Sequence, residues 1–258
     1  MGEGPSIVAR DVSLSLEGAG GPLPVLDRVS FAIAPGELVA LIGPSGCGKS
    51  TLLRVLAGLV EPQAGQVEVD GDADRPRLGR LTLMPQRDAL LPWRTLLDNV
   101  ALGPTVAGRP RGEAARAARA VLARYGLAGF EDHYPHALSG GMRQRAALAR
   151  TLLGGSRAWL LDEPFGALDA LTRADLQGVL AALWQEHRPT ALLVTHDLDE
   201  ALVLADRVLV SGARPATVVA ELAVDLPRPR GIADTASPEF AAMKGALLEA
   251  LQTAGALA

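Results

Sequence analysis

The sequence predicts an α/β fold in which a mostly parallel sheet is interrupted by a helical insertion, with a small antiparallel β region at the N-terminus. Three observations predict it. Short, wholly apolar runs alternate with stretches of helical spacing. The run Glu37 to Ile42 feeds directly into a glycine loop and then a helix. Finally, helical spacing takes over between about Arg87 and Arg150 before the apolar runs resume.

Ile7 to Leu16 and Val29 to Ile33 alternate as strands around the Gly/Pro-rich turn Gly18-Ala19-Gly20-Gly21-Pro22. After the Glu37 to Ile42 strand, Thr51 to Leu59 has helical spacing, and Gln66 to Asp70 and Leu81 to Met84 read as strands. Helices are predicted at Thr95 to Leu102, Glu113 to Tyr125 and Gly140 to Leu153. The runs Ala158 to Leu161 and Ala191 to Thr195 predict buried parallel strands, with the helix Thr172 to Glu186 between them. Asp197 and Glu200 have the spacing of a capping box that would start the next helix. Val208 to Val210 and Thr217 to Leu222 are the last strands, and the linker Leu226-Pro227-Arg228-Pro229-Arg230 precedes a terminal helix from Pro238 to Leu251.

The 258 residues suffice for one such domain. A formal net charge of −4 gives no global basic field of the kind that non-specific nucleic-acid binding uses, so nucleic acid is not expected as a partner. The one cysteine, Cys47, excludes an intrachain disulfide and a multi-cysteine metal cluster. Met1 to Ser6 lacks the pattern of a secretory signal, and no apolar run approaches the ~18 residues needed to span a bilayer, so a cytosolic chain is expected. All but two of the 25 basic residues are arginine. Lysine is kept at position 49, where a compact ammonium fits among phosphate oxygens that a planar guanidinium would crowd.

Gly43-Pro44-Ser45-Gly46-Cys47-Gly48-Lys49-Ser50 satisfies the phosphate-loop pattern, with a strand before it and a helix after it. Gly46 and Gly48 let the backbone curl so that its N–H groups surround a β-phosphate. Lys49 would reach the β and γ oxygens, and Ser50 would ligate Mg²⁺. Ala158-Trp159-Leu160-Leu161-Asp162-Glu163 is an apolar strand ending in two acids. Asp162, beside the phosphate loop, would hold Mg²⁺ through water, and Glu163 would face an attacking water. The blander reading is that the two carboxylates merely begin a turn.

His196 follows the next apolar strand at the same sheet edge and could touch a γ-phosphate. Gln86 follows another strand, and its amide could meet both Mg²⁺ and water. In Leu138-Ser139-Gly140-Gly141-Met142-Arg143-Gln144-Arg145, a hydroxyl and two glycines open a helix N-terminus suited to an anion.

Gly43 to Thr51, Gln86, Leu138 to Gln144, Leu161-Asp162-Glu163-Pro164, Ala167-Leu168-Asp169 and His196 together resemble the ATP-binding subunit of ABC transporters, in that family's order from about Ile7 to Leu226. The resemblance implies a P-loop NTPase core of ABC type, about residues 1–86 and 151–230. A helical insertion subdomain would occupy about 87–150 and a helical tail 231–258. It implies that Glu163, His196 and Gln86 serve hydrolysis, that Ser50, Gln86 and Asp162 hold Mg²⁺, and that Gly43 to Thr51 and Asp169 bind ATP. In the family, the segment at Ser139, Gly140 and Gly141 meets the γ-phosphate held by the other subunit. A head-to-tail dimer with two ATP molecules between its subunits is therefore implied.

The stretch Leu83 to Thr95, with Gly166 to Arg173 and the Leu226 to Arg230 tail, resembles importer subunits for nitrate, sulfonates, taurine and thiamine precursors. The Met84-Pro85-Gln86-Arg87-Asp88 wording is most similar to the thiamine-pyrimidine (hydroxymethylpyrimidine) branch. This implies a subunit peripheral to the cytoplasmic face of the membrane, a permease contacted through about Arg87 to Leu97, and indirectly a solute-binding protein. Core packing is the alternative for that segment. The chain departs from the family where an aromatic residue usually stacks on adenine. Leu16 falls there, with Val25 helping to cover the base. The rival functions are a soluble ABC ATPase acting on nucleic acid and a cytosolic assembly scaffold.

Overall fold

The computed structural model describes residues 4–18, 20–166 and 168–255. Met1 to Glu3, Ala19 of the predicted turn and Ala167 of the family-like stretch lie outside the described residues. β1 (Ile7–Gly18) and β2 (Gly21–Ile33) form an antiparallel pair, β3 (Leu38–Ile42) leads into α1 (Lys49–Leu56), and β4 (Ala64–Val69) returns to pair with β1. β5 (Thr82–Met84) precedes four helices, α2 (Leu96–Val100), α3 (Leu102–Val106), α4 (Arg111–Arg124) and α5 (Gly140–Leu153). The chain continues through β6 (Ala158–Asp162), α6 (Ala170–His187), β7 (Thr190–Val194), α7 (Leu198–Leu204), β8 (Arg207–Ser211), β9 (Val218–Ala223) and α8 (Pro238–Thr253).

The large sheet has the order β5-β6-β7-β3-β8-β9, parallel except for the last strand. A second sheet, β2-β1-β4, is antiparallel. β3 explains why the apolar runs show no alternation. Leu38, Ala40 and Ile42 enter the core formed with α2 and α4 to α8, whereas Val39 and Leu41 enter the core formed with α1 and the small sheet. Both faces are covered, and each fully buried aliphatic chain contributes about 1.5–3 kcal/mol relative to exposure. Because β5, β6, β7 and β3 run parallel, the residues that follow them emerge at one edge.

Several boundaries differ from those predicted. β2 starts at Gly21 rather than Val29, since it is the edge strand of its sheet and tolerates Pro22 and Pro24 there. α1 begins at Lys49 and stops short of Leu59. Gly58, at φ +74°, donates to Val55 O while Leu59 N donates to Arg54 O, which closes the helix end. The predicted helix Thr95 to Leu102 becomes α2, and the following α3 was not predicted. Pro104 has no N–H to offer Val100 O, which interrupts the bonding between the two. The capping box at α7 is half present. Asp197 accepts from the N–H groups of Asp199 and Glu200, but Glu200 is buried and its Oε1 has no partner.

Candidate active site

Gly43 to Ser50 joins β3 to α1, and its glycines do separate jobs. Gly48 has φ +134°, and a Cβ there would lie 2.7 Å from Val25 O. Gly43 backs so closely on Ser211 that a Cβ would come within 2.9 Å of it. Only glycine fits such approaches. Lys49 is buried, and its Nζ donates to Gly43 O at 2.7 Å and Pro44 O at 2.8 Å. The thiol of Cys47 lies 3.5 Å from Ser211 Oγ and accepts from Lys49 Nζ at 3.8 Å, behind the lining of the cavity described next.

A cavity of about 320 Å³ opens over this loop, lined by Ser45, Gly46, Gly48, Lys49, Ser50 and Thr51 at one end and by Leu16, Leu23 and Val25 at the other. Gln86 and Glu163 border it as well. The Ser50 hydroxyl donates to Asp162 Oδ1 at 3.1 Å. Burial pushes the Asp162 carboxyl above the ordinary carboxylate range, an effect that the Ser50 hydrogen bond and the charges of Arg54 and Lys49 oppose. Glu163 sits just past β6 at φ +47°, held by its N–H bond to Val194 O at 2.9 Å. Its two carboxylate oxygens face different partners. Gln86 Nε2 donates to Oε2 at 2.9 Å, and His196 Nδ1 lies 3.3 Å from Oε1.

Thus Gln86, Glu163, His196, Asp162, Ser50 and Lys49 are brought to one edge. Ser50, Asp162 and Gln86 offer hard oxygen donors too few to enclose a cation, a set that suits Mg²⁺ completed by phosphate oxygens and water. Among the described residues there is no cluster of three or more His, Cys, Asp or Glu that would hold a metal unaided.

The structure does not bring every candidate into this cavity. Ser139, Gly140 and Gly141 open α5 away from its lining, with Ser139 Oγ accepting from Met142 N at 3.2 Å. Asp169 caps α6, and the Thr172 N–H that it accepts holds its carboxyl below the usual range. The Arg87 to Leu97 segment divides. Leu90, Leu96 and Leu97 are core, while Trp93 is 71% exposed on a turn that buried Asn99 ties down through Leu91 N, Leu91 O, Arg94 O and Thr95 O.

Sequence reasoning missed several neighbours. Leu23 stands opposite Leu16 in the β1–β2 register, a signal hidden by starting β2 too late. Arg214 lines the cavity and donates to Gly46 O from a loop without a motif. Arg143 Nε donates to Asp88 Oδ2 at 3.0 Å, and Gln144 Nε2 to Pro164 O at 2.8 Å, so α5 is fastened to the segments that follow Gln86 and Glu163.

Known proteins share this arrangement. The sequence pattern of the ABC transporter family matches residues 26–166. The taurine import ATP-binding protein of Pseudomonas aeruginosa is 43% identical over 248 residues, 94% of each chain. The aliphatic sulfonates import ATP-binding protein of Cupriavidus necator is 47% identical over 231 residues, 88% of this chain and 74% of that protein. Among solved structures, a dimeric ATP-binding cassette in a post-hydrolysis state, bound to ADP and Pi, superposes with a TM-score of 0.76 at 29% identity, covering 86% of this chain and 100% of the other. With its phosphate loop, paired acids and strand-end histidine at one sheet edge, and with relatives of this extent, the chain belongs to the ABC transporter family.

Proposed function

We propose that the chain is the ATP-binding and ATP-hydrolysing subunit of an importer, working as a pair of copies on the cytoplasmic face of a membrane beneath a separate permease. The nucleotide-binding unit is residues 1–230, with the helical insertion at about 87–150 and a helical tail at 231–258. The observation that carries the reading is Glu163, whose carboxylate lies between Gln86 and His196 at the mouth of the cavity that Lys49 lines.

In this reading Gly43 to Thr51 bind the phosphates of ATP, Lys49 neutralises their charge, and Leu16 and Val25 cover the base. Mg²⁺, when bound, supplies further positive charge against the phosphate oxygens, held by Ser50, Gln86 and Asp162 directly or through water. Glu163 polarises the attacking water, while Gln86 and His196 keep its carboxylate and the γ-phosphate in register. Ser139, Gly140 and Gly141 serve the γ-phosphate of the other copy, and Asp169 stands at the same junction. That assignment accounts for their place outside this chain's own cavity. The turn at Arg87 to Leu97 carries the movement to the permease, which passes on a solute delivered by a binding protein. The solute is a small molecule such as a sulfonate, taurine, nitrate or a thiamine precursor. Support for the importer reading comes from the names of the two relatives above.

Complementation tests the composite site. Lys49→Ala damages a site through its own loop. Gly140→Asp places a carboxylate where an added Cβ meets nothing nearer than 3.9 Å, so it damages the opposite site without crowding its own helix. Each variant alone should be inactive, and a mixture should regain ATP hydrolysis, because one of the two sites in the mixed dimer is intact. A mixture as inactive as its components would contradict the shared site.

A further inference from the structure

Among the described residues, no aromatic ring covers the base end of the cavity. Leu16, Leu23 and Val25 cover it, and Leu16 and Leu23 are each 42% exposed. Aliphatic side chains give a purine area but no flat π face to stack on. A planar cation, Arg214, lines the same cavity.

Arg214 belongs to the loop between β8 and β9, and that loop is built into the cavity from both sides. Ala216 N donates to Val25 O at 2.8 Å, and Ala216 O accepts from Asp27 N at 3.0 Å. Gly48 leaves so little room that a Cβ there would approach Ala216 Cβ at 3.2 Å. The residue before the loop, Ser211, packs on Cys47 of the phosphate loop. The loop is therefore wedged between the strand that covers the base and the loop that would cradle the phosphates.

From there Arg214 reaches back to the phosphate loop. Its Nε donates to Gly46 O at 3.0 Å, and a terminal nitrogen donates to the same oxygen. Two donors on one acceptor orient the guanidinium as well as place it, and among the described residues its remaining N–H groups have no hydrogen-bond partner. The side chain is exposed, and among the described residues no carboxylate pairs with it. An arginine that only stiffened the surface would gain more from one of this acidic chain's carboxylates than from a neutral carbonyl inside the cavity. The phosphate end already has its own cation in buried Lys49, and Arg214 is the other cationic side chain of the lining.

We propose that Arg214 is a nucleotide-recognition residue, its guanidinium lying flat against the purine of bound ATP in the place of the aromatic ring this chain lacks. Guanidinium planes stack on nucleobases and on other π faces, and an ammonium cannot replace them there. The inference rests on the ATP-binding reading above and adds to it the residue that grips the base.

The test is equilibrium binding to the whole chain without Mg²⁺, comparing ATP with inorganic tripolyphosphate, which has the charge but no base. Arg214→Ala and Arg214→Lys should both weaken ATP binding, by roughly 5- to 30-fold. Tripolyphosphate binding should be unchanged, and Arg214→Tyr should restore ATP affinity. Equal weakening of both probes in Arg214→Ala with full rescue by Arg214→Lys would make Arg214 a phosphate contact and overturn the proposal. Unchanged ATP affinity in Arg214→Ala, with or without a lower melting temperature, would make it a strut and overturn the proposal equally. A parent chain that binds neither probe would instead sink the ATP-binding reading, so the two failures are distinguishable.

Discussion

Gln86 Nε2 donates to Glu163 Oε2 at 2.9 Å, joining the residue that follows β5 to the one that follows β6. The two strands are parallel neighbours, with Met84 paired to Leu161, so a 77-residue separation in sequence closes to one hydrogen bond at the sheet edge. Gln86 is thereby linked to the proposed base on one side and, through Arg87 to Leu97, to the proposed permease contact on the other. Gln86→Ala should lower the rate of ATP hydrolysis by about 10- to 100-fold and leave ATP affinity measured without Mg²⁺ within about 2-fold, because the amide positions Glu163 at the border of the cavity while the phosphates are gripped by the loop Gly43 to Thr51. Steady-state hydrolysis alongside equilibrium ATP binding checks this, and a large loss of affinity with an unchanged rate would contradict it.

The Ser50–Asp162 pair predicts a metal dependence. Removing the charge with Asp162→Asn should raise the Mg²⁺ concentration needed for half-maximal hydrolysis by about 10- to 100-fold. ATP binding measured without Mg²⁺ should hold. A Mg²⁺ titration identical to that of the parent would remove Asp162 from the metal.

Glu200 gives a pH prediction. Burial, reinforced by the charge of Asp197, pushes its carboxyl from 4.5 up to about 8. Between those values the folded chain holds a proton that the unfolded chain has lost, so this group makes stability fall as pH rises, with a slope of up to about 1.4 kcal/mol per pH unit. Glu200→Gln keeps the size and stays neutral. Its melting temperature should therefore decline less than the parent's from about pH 5 to about pH 8. Parallel profiles would show that Glu200 is not the titrating group.

The turn at Leu91 to Arg94 separates folding from contact. Asn99→Ala strips partners from Leu91 N and three carbonyls in a buried place and should cost about 2–3 kcal/mol in denaturant unfolding. Trp93→Ala, at an exposed position, should change stability by no more than about 0.5 kcal/mol. In a reconstituted complex the same Trp93 variant should hydrolyse ATP with reduced transport, and equal transport would place the permease contact elsewhere.

What could be read in the sequence was local or edge-directed. Asp162, Glu163 and His196 each follow a wholly apolar run, and parallel strands deliver such followers to one place whatever lies between them. The phosphate loop was readable because its glycines and its lysine are needed within eight residues. Contacts that depend on register across distant elements were not readable. Leu23 lies behind two prolines that an edge strand tolerates, and Arg214 lies on an unremarked loop whose course is set by backbone pairing to Val25. Glu200 has the spacing of a surface capping residue, and only the burial of its side chain on the inner face of α7 reveals a different environment. Ser139 and Gly141 were readable as the start of a helix, whereas their separation from this chain's own cavity required the fold.

The most direct measurement is the mass of Glu163→Gln in solution, with and without ATP, beside its rate of hydrolysis. With the carboxylate proposed to polarise water replaced by an amide, the variant should hydrolyse ATP at least about 100-fold more slowly than the parent. It should also convert from monomer to dimer when ATP is added, as each copy's Ser139 and Gly141 close on the other's nucleotide. Hydrolysis at the parent rate, or a mass that ATP leaves unchanged, would contradict the account.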